Sequence, residues 1–222
     1  MTQLLQRITQ DPTYVRVIPF CLFAAVTFCQ GLFGEAGRYW IYAGKSLVGA
    51  WMLWVVWKSI PEMRWTFSWE AVVAGILVFV LWVGLDPFYP KWGSERSGWN
   101  PHEVFGLNSP LAWFFILGRI AASSLIVPPL EEVFYRSFLY RWIVKVDFQS
   151  VPFHQFGLVA FLVTGLFFGV AHFEWLAGIL CAFVYQGLVL YKRRLGDAMT
   201  AHAITNFLLG VWVVWRGDWY FW

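Results

Sequence analysis

The sequence is short of charge: Asp, Glu, Lys and Arg together make up 13% of its 222 residues, against about a quarter in soluble domains. A water-soluble fold of this size has too little interior to hide an apolar share of 59%, so a soluble enzyme or binding module is excluded. Cysteine is scarce as well. Cys21, Cys29 and Cys181 are odd in number, lie in apolar runs and have no C-x-x-C spacing, which implies neither a disulfide framework nor a thiolate metal site. There is no basic block: the net charge of +3 is spread over short loops, unlike the stripe that a nucleic-acid surface needs, and nucleic acid is not expected as a partner. No small-residue cleavage pattern follows the first apolar run, so it does not read as a signal peptide. With no internal repeat or low-complexity segment, residues 1–222 read as a single integral membrane domain.

What the sequence does have is apolar length. Its mean hydropathy is +0.59, and a helix needs about 20 mainly apolar residues to cross the hydrocarbon core. Such runs lie near 17–33, 39–57, 70–85, 111–127, 130–146, 156–172, 175–191 and 198–215. The fold expected is an all-α, polytopic transmembrane helical bundle of about seven (six to eight) membrane helices. The 16 Trp, 9 Tyr and 22 Phe recur where apolar and polar stretches meet, as at Trp40, Trp51, Trp57, Trp69, Trp92, Trp113, Trp142 and Trp215, which suits belts at the headgroup level.

Polar punctuation sets the boundaries. Residues 86–110 carry Asp-Pro, Tyr-Pro, Gly-Ser and Asn-Pro pairs that mark a loop, closed by Ser109 and Pro110 as N-cap and first helical residue. Pro128-Pro129 interrupts the run from Leu111 to Val146, either as a kink within one crossing or as a turn between two. Charge bias favours the kink. Counting 111–146 as one crossing puts Arg7 with Arg16, Lys58 with Arg64, Arg141 with Lys145, and Lys192 to Arg194 on one side. The positive-inside rule makes that side cytoplasmic, giving seven crossings with the N-terminus inside.

Ionisable side chains deep in a bilayer cost several kcal/mol, from about 2.5 upwards, and so mark function by default. Glu131 and Glu132 follow the proline pair, and Arg136 lies one turn beyond Glu132. A packing pair accounts for Glu132 with Arg136 but leaves Glu131, about 100° round the helix, without a partner. His172 ends the apolar run that begins at Leu158, and His202 and Asn206 share a helix face four residues apart. Either His alone reads best as a satisfied interhelical contact, and Asn206 alone as interhelical glue. His102 and His154, beside Pro101 and Pro152, read as structural.

The strings Glu131-Glu132-Val-Phe-Tyr-Arg136, Phe168-Gly-Val-Ala-His172 and His202-Ala-Ile-Thr-Asn206 resemble, in order, the three motifs of the CPBP family of intramembrane proteases, which includes the type II CAAX prenyl endopeptidases. Each motif alone is weak; the ordered set in apolar context is specific. It lies within a motif-bearing core of about residues 111–215, and the chain is most similar to bacterial CAAX-protease-related proteins, some of them exosortase-associated.

The resemblance implies an intramembrane endopeptidase acting on a membrane-anchored or lipid-modified protein or peptide within the lipid bilayer, located in the bacterial inner (plasma) membrane. It implies that Glu131 and His172 activate a water, that His202 and Asn206 stabilise the oxyanion, and that Glu132 and Arg136 hold the site. No metal is expected to be obligatory, since no H-E-x-x-H is present; a Zn²⁺ or similar divalent ion, if used, would take Glu131, His172 and His202. The competing reading is a non-enzymatic transporter or sorting scaffold using the same groups as a relay or packing network. Asn206 argues against a relay, because an amide does not titrate. One demand follows from the enzyme reading: if 156–172 and 198–215 were full crossings in the same direction, His172 and His202 would lie at opposite faces. Either the break after His172 is deep in the membrane or one of these helices is short.

Overall fold

The computed structural model describes residues 9–92, 98–107 and 109–222. Every regular element among them is helical. Helices α1 (Tyr14–Cys29) and α2 (Gly34–Val56) form a hairpin, followed by α3 (Trp69–Leu85), the short α4 (Pro101–Phe105) and α5 (Pro110–Leu125). Then come α6 (Val127–Glu132), a π-helical segment (Val133–Leu139), α7 (Tyr140–Val144), α8 (Leu158–Val170), α9 (Trp175–Lys192) and α10 (Gly196–Arg216). Among the described residues five stretches are long and apolar enough to cross a membrane: Tyr14–Ser59, which holds both α1 and α2, then Trp69–Phe88, Pro110–Val144, Trp175–Lys192 and Gly196–Arg216. The apolar α8 is shorter. The architecture is the expected all-α membrane bundle.

Local chemistry explains the boundaries. Ser109 Oγ accepts from the Ala112 N–H at 3.0 Å and Pro110 occupies the first turn, where its missing N–H costs nothing. Ser68 caps α3 in the same way through Ala71 N, and Asn100 caps α4 through His102 N. The proline pair does not turn the chain back: Pro128 and Pro129 lie inside a continuous 110–144 stretch, broken only at Ile126. The polar stretch after α3 contains a 3-10 turn (Asp86–Phe88) and α4; residues 93–97 and 108 fall outside the described part.

The charge clusters gather at one end of the bundle, around the loop that joins α2 to α3. Arg16 pairs with Glu62 at 2.6 Å, and Ser137 donates to the same carboxylate oxygen. Arg141 donates to the Ser137 carbonyl, Lys192 pairs with Glu70 at 2.9 Å, and Arg194 pairs with Asp197. Asp197 is held in turn by the hydroxyls of Thr66 and Ser68. Arg7 lies outside the described residues. The eight tryptophans assigned to belts are all exposed on the chain surface, whereas Trp82 and Trp99 are buried.

Two helix crossings depend on missing side chains. A Cβ on Gly75 of α3 would lie 2.6 Å from the Ala201 carbonyl oxygen of α10, and one on Gly169 would lie 2.2 Å from Ile179 Cγ1 of α9. Without a side chain the backbones approach closely, the usual device where helices associate in lipid. The first crossing seats His202 in the main core; the second folds α8 tightly onto α9.

Candidate active site

Glu131 and Glu132 end α6 at the point where the backbone changes to π-helical register. Such wide turns cost hydrogen-bond quality and cluster at functional sites. Glu132 is fully buried; its Oε2 lies 3.2 Å from Arg136 Nε and its Oε1 lies 2.9 Å from His202 Nδ1. The carboxylate therefore joins the π segment to α10 across 70 residues of sequence. The expected pairing of Glu132 with Arg136 is present, but the contact to His202 has no local signature and sequence reasoning missed it.

Glu131 points to the other nitrogen of the same imidazole. Its Oε2 is buried, lacks a hydrogen-bond partner among the described residues and stands 4.0 Å from His202 Nε2. With Arg136 alongside, Glu132 is the natural acceptor for the His202 Nδ1–H, which leaves Nε2 facing Glu131. That separation is too long for a direct hydrogen bond. An unpaired buried carboxylate oxygen is costly, and this one faces a group that could share a proton with it.

His172 sits just past the end of α8, which is 13 residues long, roughly 20 Å of helix against about 30 Å of hydrocarbon. The short helix is one of the two solutions that the enzyme reading demanded. His172 Nδ1 lies 2.7 Å from the Phe168 carbonyl oxygen, so its Nε2 is the free nitrogen. Its ring stacks on Phe168 at 4.7 Å and meets the edge of Trp82 at 5.5 Å. Phe168 also contacts the His202 ring at 6.3 Å, so one phenyl ring separates the two imidazoles. Tyr185, fully buried, stacks against His202 at 5.3 Å and donates to Thr205 Oγ1. Neither Trp82 nor Tyr185 carried any signal beyond aromatic character in an apolar run; Phe168 belonged to the second motif.

Asn206, one turn after His202 on α10, donates from Nδ2 to the Ser123 carbonyl oxygen at 2.8 Å. The amide thus bridges to α5 while one N–H remains available. His102 packs between the rings of Trp113 and Trp219, away from these groups. Among the described residues no three His, Cys, Asp or Glu side chains come close enough to hold a metal ion. Glu131, His172 and His202 therefore do not fit the three-ligand set considered for Zn²⁺.

Residues 109–208 match the Rce1-like family, the type II CAAX prenyl endopeptidases. The matched stretch contains all three motifs and every side chain of this cluster except Trp82. No curated protein and no solved structure matches the chain.

Proposed function

We propose that the chain is an intramembrane endopeptidase that hydrolyses a peptide bond of a membrane-anchored or lipid-modified protein. The observation that carries this reading is the buried, unpartnered Glu131 Oε2 facing His202 Nε2 at 4.0 Å, with the other imidazole nitrogen held by Glu132. A carboxylate and an imidazole set apart by that gap suit one water molecule or one reacting carbonyl.

In the proposed reaction, Glu131 takes a proton from water as the water oxygen attacks the scissile carbonyl carbon. His172 Nε2, the nitrogen left free by the Phe168 carbonyl, orients that water. His202 shares the proton with Glu131; its Nδ1–H stays on Glu132, so the protonated ring donates through Nε2 to the oxyanion. Asn206 supplies the second donor with its remaining N–H. When the C–N bond breaks, the proton passes to the leaving amine nitrogen. Glu132 and Arg136 keep the imidazole in place, and no metal ion takes part.

The test is turnover of fluorogenic peptides anchored by a prenyl group, an acyl chain or an apolar helix, with the purified chain in liposomes. The parent cleaves at least one class, and Glu131→Gln, His172→Ala and His202→Ala do not. If all three variants turn over like the parent, the enzyme reading fails and a transporter or scaffold role takes its place.

A further inference from the structure

A second group of charges lies away from the α2–α3 loop, around the aromatic cluster of Tyr39, Tyr42 and Trp99, and among the described residues its members have no counterion. Lys45 of α2 is 6% exposed; its Nζ donates to Thr27 Oγ1 and lies 4.8 Å from the Tyr42 ring centre. Arg119 of α5 lies over the same ring at 4.7 Å, over Trp99 at 4.5 Å and over Trp222 at 5.3 Å. Arg38 lies over Tyr39 at 5.1 Å, and Tyr39 packs on Trp99 at 4.4 Å. Among the described residues none of the three cations forms an ion pair. The nearby carboxylate of Glu103 accepts from Asn100 instead.

Three cations around a shared aromatic wall repel one another, and the aromatic faces offset only part of that repulsion. Lys45 is buried and carries a heavy desolvation penalty without an anionic partner, while Arg38 and Arg119 are half-buried beside it. The polar atoms left over are all donors. Trp99 is 3% exposed and, among the described residues, its Nε1–H has no partner; Arg38 Nε is buried and has none there either. The Arg119 guanidinium has only ring contacts among the described residues. Unpaired donors and unpaired positive charge at one place call for an oxyanion.

We propose that Arg38, Lys45, Arg119 and Trp99 form a binding site for a phosphate-bearing anion. Guanidinium groups engage phosphate oxygens in pairs, and the ammonium adds a point charge. Phosphate could arrive free or as a lipid headgroup. The lipid is favoured by place: Lys45 and Arg119 belong to helices long and apolar enough to span the membrane, and the exposed Trp40, adjacent to Tyr39, is of the kind that sits at headgroup level.

The experiment uses the full chain in dodecyl maltoside, which carries no phosphate. Retention of added phosphatidylglycerol is read by native mass spectrometry, and thermal midpoints are read with phosphatidylglycerol, diacylglycerol or inorganic phosphate. Expected is one retained phosphatidylglycerol with a raised midpoint, no effect of diacylglycerol, and at least about tenfold weaker retention in Arg119→Gln and Lys45→Met. Lys192→Gln, whose cation is already paired with Glu70, retains the lipid like the parent. An Arg119-dependent rise with inorganic phosphate but none with the lipid assigns the site to the free ion. Equal lipid retention in the parent and both variants, or no response to either phosphate source, overturns the proposal. Should Arg119→Gln fail to fold, Lys45→Met and competition of inorganic phosphate against the lipid in the parent decide the matter.

Discussion

Glu131 and Glu132 address the two nitrogens of one imidazole: Glu132 Oε1 lies 2.9 Å from His202 Nδ1 and Glu131 Oε2 stands 4.0 Å from Nε2. The contacted nitrogen is fixed, while the facing one has no hydrogen bond among the described residues. In the proposed reaction, replacing Glu131 by Gln keeps the size and removes the base, so hydrolysis should fall about 10²- to 10⁴-fold with the fold intact. Initial rates and a thermal midpoint measured on the same liposome preparation check both halves of that statement.

Asn206 sits on the other side of His202 and bridges to the Ser123 carbonyl. Loss of one oxyanion donor lowers kcat by about 10²- to 10³-fold with little change in KM. Asn206→Ala is expected to show that split. An equal rise in KM with kcat preserved would instead make Asn206 a ground-state contact or a packing bridge between α10 and α5.

A carboxylate-driven mechanism is indifferent to chelators. Prolonged treatment with phenanthroline or EDTA, followed by buffer exchange, should leave the turnover rate within about twofold of the untreated chain. Loss of activity restored by added Zn²⁺ would mean that Glu131, His172 and His202 draw together around an ion in the working enzyme.

Much of this arrangement was legible in the residues. The apolar runs fell on the long helices, with 111–127 and 130–146 joining in the one stretch Pro110–Val144, and Ser109 with Pro110 marked the start of α5 because capping chemistry is local. The three motifs named Glu131, Glu132, Arg136 and His202, which the structure brings together. The π register of Val133–Leu139 was not legible, since a hydrophobic pattern does not report which carbonyl each N–H selects. Nor was the tie from Glu132 to His202, because a contact between distant segments leaves no mark in either one. Trp82 and Tyr185 look like any other aromatic in an apolar helix until the histidines they touch are in place.

The α3–α10 crossing offers a structural test independent of catalysis. A methyl group on Gly75 would meet the Ala201 carbonyl oxygen at 2.6 Å and Ile204 Cβ at 2.9 Å, and Thr205 donates to the Gly75 carbonyl at 2.8 Å in the same contact. Backbone cannot yield as a flexible side chain would. Gly75→Ala should therefore destabilise the bundle by about 1–3 kcal/mol, seen as a lower thermal midpoint. Activity should fall further than stability alone explains, since the helix displaced is the one that carries His202.

The Arg16–Glu62 pair gives the bundle a defined response to acid. Burial alone would push the Glu62 carboxyl up, but the Arg16 guanidinium and the Ser137 hydroxyl outweigh it and hold the group below the usual carboxylate range. A carboxylate whose folded value is lowered adds stability that is complete above its unfolded value, about 4.3, and is lost as pH falls through the lower folded value. The thermal midpoint in detergent should thus be level with respect to this group above about pH 5 and drop on acidification. In Glu62→Gln that part of the acid dependence disappears, and the midpoint near neutrality is already lower, because Arg16, 3% exposed, is left as a buried charge without its partner, at a cost of about 3–5 kcal/mol. A Glu62→Gln protein that kept the parent's full acid profile would show that the titration belongs to other carboxylates, and that the link from α1 to the π segment does not govern how the bundle unfolds in acid.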